Sequence, residues 1–436
     1  VPDPSRRPSY RALLEVPQLG RLIASMQLAR IAQSMVGVAI VLFALDEYDS
    51  PALAGIVTFA SIAPGLLISP IAGALLDRQG RVKLMILDYL VEVAAFMLIG
   101  ALALADMLPA WLLIIFAIIV SMTGMLSVAG LRSLFPMLVP RHLWERVNAV
   151  DSNGYVVATI LGPPIAAALV AFIGAPVALI AIGASFLLAA VALVGVHDPS
   201  TPPTGGSLLG DSWAGLRYTF RNPTLRGLGF SVSVMNLTGG MATIVIPLLV
   251  VAELGYSPAV VGLVYAVSGV SGMVSTFFFG RFDTRGREWP MLVVPSALWV
   301  VTVLLLVPAA GLLGPIEPAV ALGFIVLSQV VIGLLAGPYD IAMFTVRQRR
   351  TDPAMLGRAF AVSMAFNFMG YPVGSAIAGN LAAESIGPAL AMGAVASVVG
   401  AALGAVLVPR TAPTPGTAVA PPALSPAPVP TDSPSG

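Results

Sequence analysis

The feature that most constrains this chain is the recurrence of apolar runs about 20 residues long, each closed by a short polar connection. One helix needs a run of that length to cross the hydrocarbon core of a bilayer. Such runs fall near residues 19–45, 52–76, 84–105, 110–134, 147–173 and 175–196. After a polar stretch they resume near 226–252, 258–281, 290–312, 317–344, 358–382 and 386–408. The expected fold is therefore all-α and integral to the membrane, with twelve spanning helices in two sets of six. Composition agrees, since 10% of the residues are charged and 58% apolar, against about 25% charged in a soluble domain. The expected organisation is an N-terminal segment (1–18), a six-helix bundle (19–196), a linker (197–225), a second bundle (226–408) and a Pro-rich tail (409–436) expected to be disordered. In the linker, Trp213 and the stripe of Leu216 and Phe220 suggest an amphipathic helix lying on the membrane interface. The first apolar run is too long and begins too late for a simple signal peptide.

Several function classes lose their footing on composition. The chain has no cysteine and two histidines, His142 and His197, both flanking apolar runs. No metal site and no cofactor are expected from such a set. No basic block suggests nucleic acid, and no nucleotide-binding loop or catalytic triad can be assembled, so an enzyme is not expected.

Basic residues set the expected orientation. The 22 Lys and Arg fall in the N-terminal segment, in the connections after spans 2, 4, 6, 8 and 10, and in the tail, with Arg30 the exception. The connections after the odd-numbered spans hold none, carrying instead Asp46, Glu47, Asp49, Asp106, Glu253, Glu317 and Glu384. Lys and Arg concentrate on cytoplasmic loops. A multi-pass protein of the cell membrane with both termini cytoplasmic follows as the expectation, with the lipid bilayer as its solvent and a monomer as its state.

The two halves also repeat. Asp77-Arg78-Gln-Gly80-Arg81, after span 2, answers Asp283-Thr-Arg-Gly286-Arg287, after span 8, at an offset of 206 residues. Gly162, in Gly162-Pro163-Pro164, answers Gly374 at an offset of 212. Parallel six-helix repeats place a substrate site between the halves near mid-membrane.

The stretch Gly73-Ala-Leu-Leu-Asp77-Arg78-Gln-Gly80-Arg81-Val-Lys83 carries a family resemblance. It resembles the loop between spans 2 and 3 of the major facilitator superfamily. Leu134-Phe-Pro136-Met-Leu-Val-Pro140 and Arg347-Gln-Arg-Arg350-Thr-Asp-Pro353 narrow the likeness to the bacterial drug-exporter-like branch, which handles drugs, macrolides and siderophores. Gly154 and Gly162-Pro163 resemble the exporters' antiporter motif, although Ala166 and Ala167 replace its closing glycines. The resemblance implies a gate between the halves, with Gly73, Asp77, Arg78, Gly80, Arg81, Gly162, Pro163, Asp283 and Arg287 as gating residues and span 11 as the latch partner. Independently, Asp77 ends a helix where a carboxylate can face a neighbouring helix N-terminus.

Arg30 is anomalous, because it lies about 16 Å into span 1 at 1.5 Å per residue. A central Arg is costly in lipid and normally faces a cavity or a partner. Gln27 and Ser34 share its face and Gln33 lies at the edge, so Gln27, Arg30, Gln33 and Ser34 read as cavity wall. Pairing of Arg30 with a membrane carboxylate favours neutral or cationic cargo; a free Arg30 favours an anion. Asn236, Tyr339, Asn367 and Tyr371 complete the expected substrate contacts. Asp340, Glu92 and Asp88 are the candidate proton carriers, Asp88 also being placed to partner the arginines at 78–83.

The function expected is secondary active transport by alternating access, as proton-coupled efflux of lipophilic small molecules. The alternatives are a dedicated carrier of one metabolite or siderophore, including an anionic one, and a membrane sensor or lipid scramblase on the same fold.

Overall fold

A computed structural model describes residues 11–140, 143–198, 208–282, 284, 286–352 and 355–411. The described residues are helical, with no strand among them. Spans 1 and 3–6 are Leu19–Tyr48, Arg81–Leu104, Ala110–Leu138, Trp144–Ile173 and Ala175–Leu193; span 2 is broken into Pro51–Ala60 and Ala63–Gln79. The linker helix is Leu208–Arg221. Span 7, Pro223–Pro247, runs on into a wider π-helical turn, Leu248–Glu253. Spans 8, 10 and 12 are Pro258–Phe279, Pro318–Arg349 and Ile386–Leu407. Span 9 is Glu288–Leu304 with a short continuation, Leu306–Ala309, and span 11 is broken into Leu356–Phe368 and Gly370–Glu384. Among the described residues 11 helices are long and apolar enough to cross a membrane. Span 11 completes the twelve; its break at Met369 leaves pieces of 13 and 15 residues, each too short alone.

Local chemistry explains the boundaries. Ser50 accepts a hydrogen bond from the Leu53 amide at 3.1 Å, ahead of Pro51 in the first turn of span 2. Asn222 does the same for span 7, accepting from the Thr224 and Leu225 amides at 3.0 and 3.2 Å, again ahead of a proline. A capping side chain followed by Pro is the expected start of a helix. Gly80 joins spans 2 and 3 as a single residue at φ +93°, a conformation open to glycine at little cost.

Each half packs its own helices. Span 1 lies against spans 5 and 6, and span 3 against spans 4 and 6; span 7 lies against spans 11 and 12, and span 10 against spans 8 and 9. Between the halves, Pro51–Ala60 packs on Gly370–Glu384, and span 5 packs on span 8. The second piece of span 2 turns back to span 4, and the first piece of span 11 packs on span 7 and the linker helix.

The halves close at one end only. Residues 38–44 of span 1 are buried without interruption, as are residues 244–250 of span 7. These two stretches are 206 residues apart, the offset of the charged repeat. Both lie towards the face carrying the acidic connections, called here the acidic face. The close approaches between the halves at Gly55 with Ser375, Gly379 with Pro51 and Gly262 with Pro164 all lie on that side. The cleft between the halves therefore opens at the basic face.

The linker helix is docked rather than laid freely on the interface. Gly215 and Thr219 are its buried face, with the Thr219 hydroxyl donating to the Ala359 carbonyl at 3.4 Å. The Phe220 ring packs 5.5 Å from that of Phe366, while Trp213 stays exposed.

Candidate functional site

A pocket of about 240 Å³ lies where the halves meet. Its lining draws on both: Ser34 and Gly37 of span 1, Thr159 and Pro163 of span 5, Thr243 of span 7, Tyr265 and Ser268 of span 8, and Tyr371 of span 11. Six of these carry hydroxyls, and none carries a charge. The Thr243 hydroxyl is hydrogen-bonded to the Tyr371 hydroxyl, tying span 7 to span 11 at the pocket wall. Apolar surface with a few hydroxyls suits a lipophilic ligand held by shape and one or two directional contacts.

One turn towards the basic face from Ser34, Arg30 has its partner. Its Nη2 lies 2.5 Å from Asp151 Oδ1, and Nη1 donates to the Asp151 carbonyl at 2.7 Å. Its guanidinium sits over the Tyr155 ring, 4.0 Å from the centroid. The three contacts follow from helical spacing, since Asp151 and Tyr155 are four apart on span 5. Gly154 makes the approach possible: a Cβ there would meet Gln27 Oε1 at 2.6 Å and Arg30 Nη1 at 3.0 Å. Gln27 in turn donates to the Gly154 carbonyl at 3.2 Å. The Arg30 charge is thus neutralised within the first half.

The other residues singled out in sequence divide. Ser34, Pro163 and Tyr371 line the pocket, whereas Gly162 packs against Ser34 and brings span 5 close to span 1. Gln33 turns away from the pocket towards Glu92. Asn236 donates to the Asn367 carbonyl at 2.8 Å, so this pair joins spans 7 and 11 instead of reaching the pocket. Oriented to satisfy its neighbours, the Asn367 amide donates to the Ser363 carbonyl at 3.0 Å and accepts from Arg347. Tyr339 is likewise no pocket residue. It is buried, with its ring 5.6 Å from that of Trp299 and its hydroxyl without a hydrogen-bond partner. The reason is angular: on span 10 its direction is that of the packing with span 9.

The acids occupy different settings. Asp340 shares a helical face with Gly333 and Arg347, seven residues to either side and both buried, yet is itself exposed. Asp88 and Glu92 are buried inside the first half. Asp88 has no partner at 81: neither of its carboxylate oxygens makes a hydrogen bond.

At the charged turn, a residue that the sequence did not single out does the capping. The Asp198 carboxylate, just after span 6, accepts from the Arg81 amide and, at 3.1 Å, from the Val82 amide, closing the N-terminus of span 3. Its signal was an acid directly after span 6, visible in sequence but without an address. Gly80 is the φ +93° joint beside it. Arg287 is exposed at the start of span 9. The side chains of Asp77 and Arg78, the surroundings of Gly73, and residue Asp283 lie outside the described residues.

Comparison with known proteins places this architecture. The family model of the Major Facilitator Superfamily matches residues 22–239 and 228–431. An MFS-type transporter of Sinorhizobium fredii, y4rN, is 36% identical over 381 residues, covering 86% of this chain and 91% of the relative. The multidrug efflux pump Tap of Mycobacterium tuberculosis is 25% identical over 366 residues, covering 79% of this chain and 83% of Tap. Among solved structures, an inward-facing, unoccupied bacterial homologue of the lysosomal transporter Spinster aligns with a TM-score of 0.68 at 15% identity, covering 92% of this chain and 98% of that one. The nucleoside transporter NupG aligns with a TM-score of 0.66 at 13% identity, over 90% and 98%.

Proposed function

This chain belongs to the major facilitator superfamily, and from that premise we propose that it is a proton-coupled exporter of lipophilic, neutral or cationic small molecules. It is a multi-pass membrane transporter and not an enzyme. The observation that carries the cargo assignment is the Arg30–Asp151 pair beside a pocket lined by hydroxyls and apolar groups. With the mid-membrane cation already neutralised, the pocket offers no fixed charge to an anion. The distant likeness to a pump named for multidrug efflux supports the same reading.

The direction rests on charge. The basic face is the cytoplasmic one by the distribution of Lys and Arg, so this conformation opens inward and admits cargo from the cytoplasm or the inner leaflet. Alternation closes the basic end and parts the acidic end, where residues 38–44 and 244–250 are now buried. Arg81, Arg287 and the turns around them lie at the end that must close. Asp340, exposed on span 10, is the acid placed to exchange a proton with cytoplasmic water.

The test is transport in proteoliposomes with an imposed pH gradient, using a panel of lipophilic cationic and neutral dyes beside candidate organic anions. Gradient-dependent movement of the dyes and not of the anions is expected. Movement of anions alone would favour a dedicated carrier instead, and no gradient-dependent movement of any compound would sink the exporter reading.

A further inference from the structure

Two prolines give the central pocket a chemistry that its side chains alone do not. Thr159 and Pro163 of span 5 both line it, and so do Thr243 and Pro247 of span 7. Each pair is spaced i and i+4, and each proline lies within its helix. Proline has no N–H, so the carbonyl four residues before it loses its helical donor. The carbonyls of Thr159 and Thr243 are released in this way. Beyond Pro247 the next amide, that of Leu248, is bonded to the Ile244 and Val245 carbonyls instead. Among the described residues no side chain donates to either released carbonyl. Residues i and i+4 share a helical face, so both oxygens lie on the pocket side, one in each half of the molecule.

The hydroxyls around them add acceptors more than donors. Thr159 donates to the Tyr155 carbonyl at 2.9 Å, Ser268 to that of Tyr265 at 3.2 Å and Tyr265 to that of Ala242 at 3.5 Å. Thr243 donates to the Gly239 carbonyl at 3.2 Å, which leaves its lone pairs to receive the Tyr371 proton. With these protons spent, the hydroxyls offer a ligand lone pairs. Among the described lining residues Ser34 is the one hydroxyl with its proton uncommitted. A ligand that covers a polar oxygen without donating to it leaves that oxygen desolvated and unpaired. An N–H group pairs it, and a positive charge on the nitrogen strengthens the bond.

We propose that the pocket selects lipophilic primary and secondary ammonium ions, anchored on the released carbonyls of Thr159 and Thr243, over quaternary ammonium ions of the same charge. That cargo class rests on the exporter reading above and narrows it to cations bearing N–H. The prolines are then specificity determinants: each withholds a helix donor so that a backbone oxygen is left for the cargo.

Equilibrium binding to the purified protein in detergent, with no gradient imposed, tests this. The probes are 4-phenylbutylammonium and 4-phenylbutyl-trimethylammonium, equal in charge and aryl group and different in N–H. The parent protein should bind the first about tenfold more tightly, the worth of one hydrogen bond to a charged group. Pro163→Ala and Pro247→Ala return an N–H to the helix and withdraw the Thr159 and Thr243 carbonyls without touching a hydroxyl. Each should weaken binding of the first probe roughly fivefold and leave the second unchanged, a pattern that general loss of packing would not give. Equal affinities in the parent, binding of neither probe, or a preference intact in both proline variants overturns the proposal. If one proline variant does not fold, the parent comparison and the other variant still decide. Dyes driven by a pH gradient without any N–H preference would refute this selectivity and leave the exporter reading standing. An N–H preference in binding without gradient-driven movement would do the reverse.

Discussion

Arg30 on span 1 and Asp151 on span 5 form an ion pair at 2.5 Å inside the membrane region, with the Tyr155 ring beneath the guanidinium. The pair ties two helices of one half together and removes a full charge from the vicinity of the central pocket. On the proposed exporter reading it also favours neutral or cationic cargo, because a paired arginine leaves nothing fixed for an anion to bind.

Asp151→Asn should cost stability, since it leaves a buried guanidinium without its counter-charge. Breaking a buried pair from one side costs about 3–5 kcal/mol in water-soluble proteins. A clear fall in melting temperature is expected, largely restored in the double variant Arg30→Gln with Asp151→Asn. In proteoliposomes the single variant should gain measurable uptake of organic anions. If it stays as stable as the parent and as selective, the pair has neither role.

Tyr371→Phe removes the hydroxyl bound to Thr243 at the pocket wall. A hydrogen bond is worth about 1 kcal/mol net, so a change of roughly fivefold in the apparent KM for a dye is expected. Tyr339→Phe, behind the wall, should leave KM unchanged. Equal effects of the two would mean that the pocket is not the cargo site.

Asp340→Asn should abolish dye movement driven by a pH gradient while leaving exchange of labelled for unlabelled dye intact. Unchanged gradient-driven flux would remove Asp340 as the proton carrier.

Gly55 and Gly379 let Pro51–Ala60 and Gly370–Glu384 touch backbone to backbone; a Cβ on Gly55 would overlap the Ser375 carbonyl oxygen, and one on Gly379 the Pro51 carbonyl oxygen. Gly55→Leu should therefore part the acidic end and favour the opposite opening. Because the chain has no cysteine, Ser268→Cys in the pocket provides a single thiol to report it. In the parent background that thiol should react with a membrane-impermeant reagent from the basic face, and with Gly55→Leu from the acidic face. Unaltered sidedness would show that this contact is not the seal.

Asp198→Ala removes the cap of span 3. A lost N-cap costs about 0.5–2 kcal/mol, so a modest drop in melting temperature is expected without loss of the transport cycle. Complete loss of transport in a folded variant would instead assign Asp198 to the gate.

The apolar runs, their spacing and the alternation of basic and acidic connections sufficed to identify an all-helical membrane protein with two related halves, because lipid forces every span to satisfy its own backbone and to be about one bilayer long. The same logic made Arg30 conspicuous, since a mid-membrane charge is too costly to be incidental. Sequence alone did not determine which partner Arg30 takes. Asp151 lies 121 residues away, and only the packing of span 5 on span 1, with Gly154 at the crossing, brings the two together. Nor could sequence separate Tyr339 from Tyr371, or Gln33 from Ser34, because direction around a helix acquires meaning only once its neighbours are in place. The pocket hydroxyls at Thr159, Thr243, Tyr265 and Ser268 are ordinary membrane-helix residues until five spans converge on them. Bilayer thickness and charge are written locally along the chain, whereas pairing, capping and pocket lining are properties of contacts between distant segments, which only the tertiary structure decided.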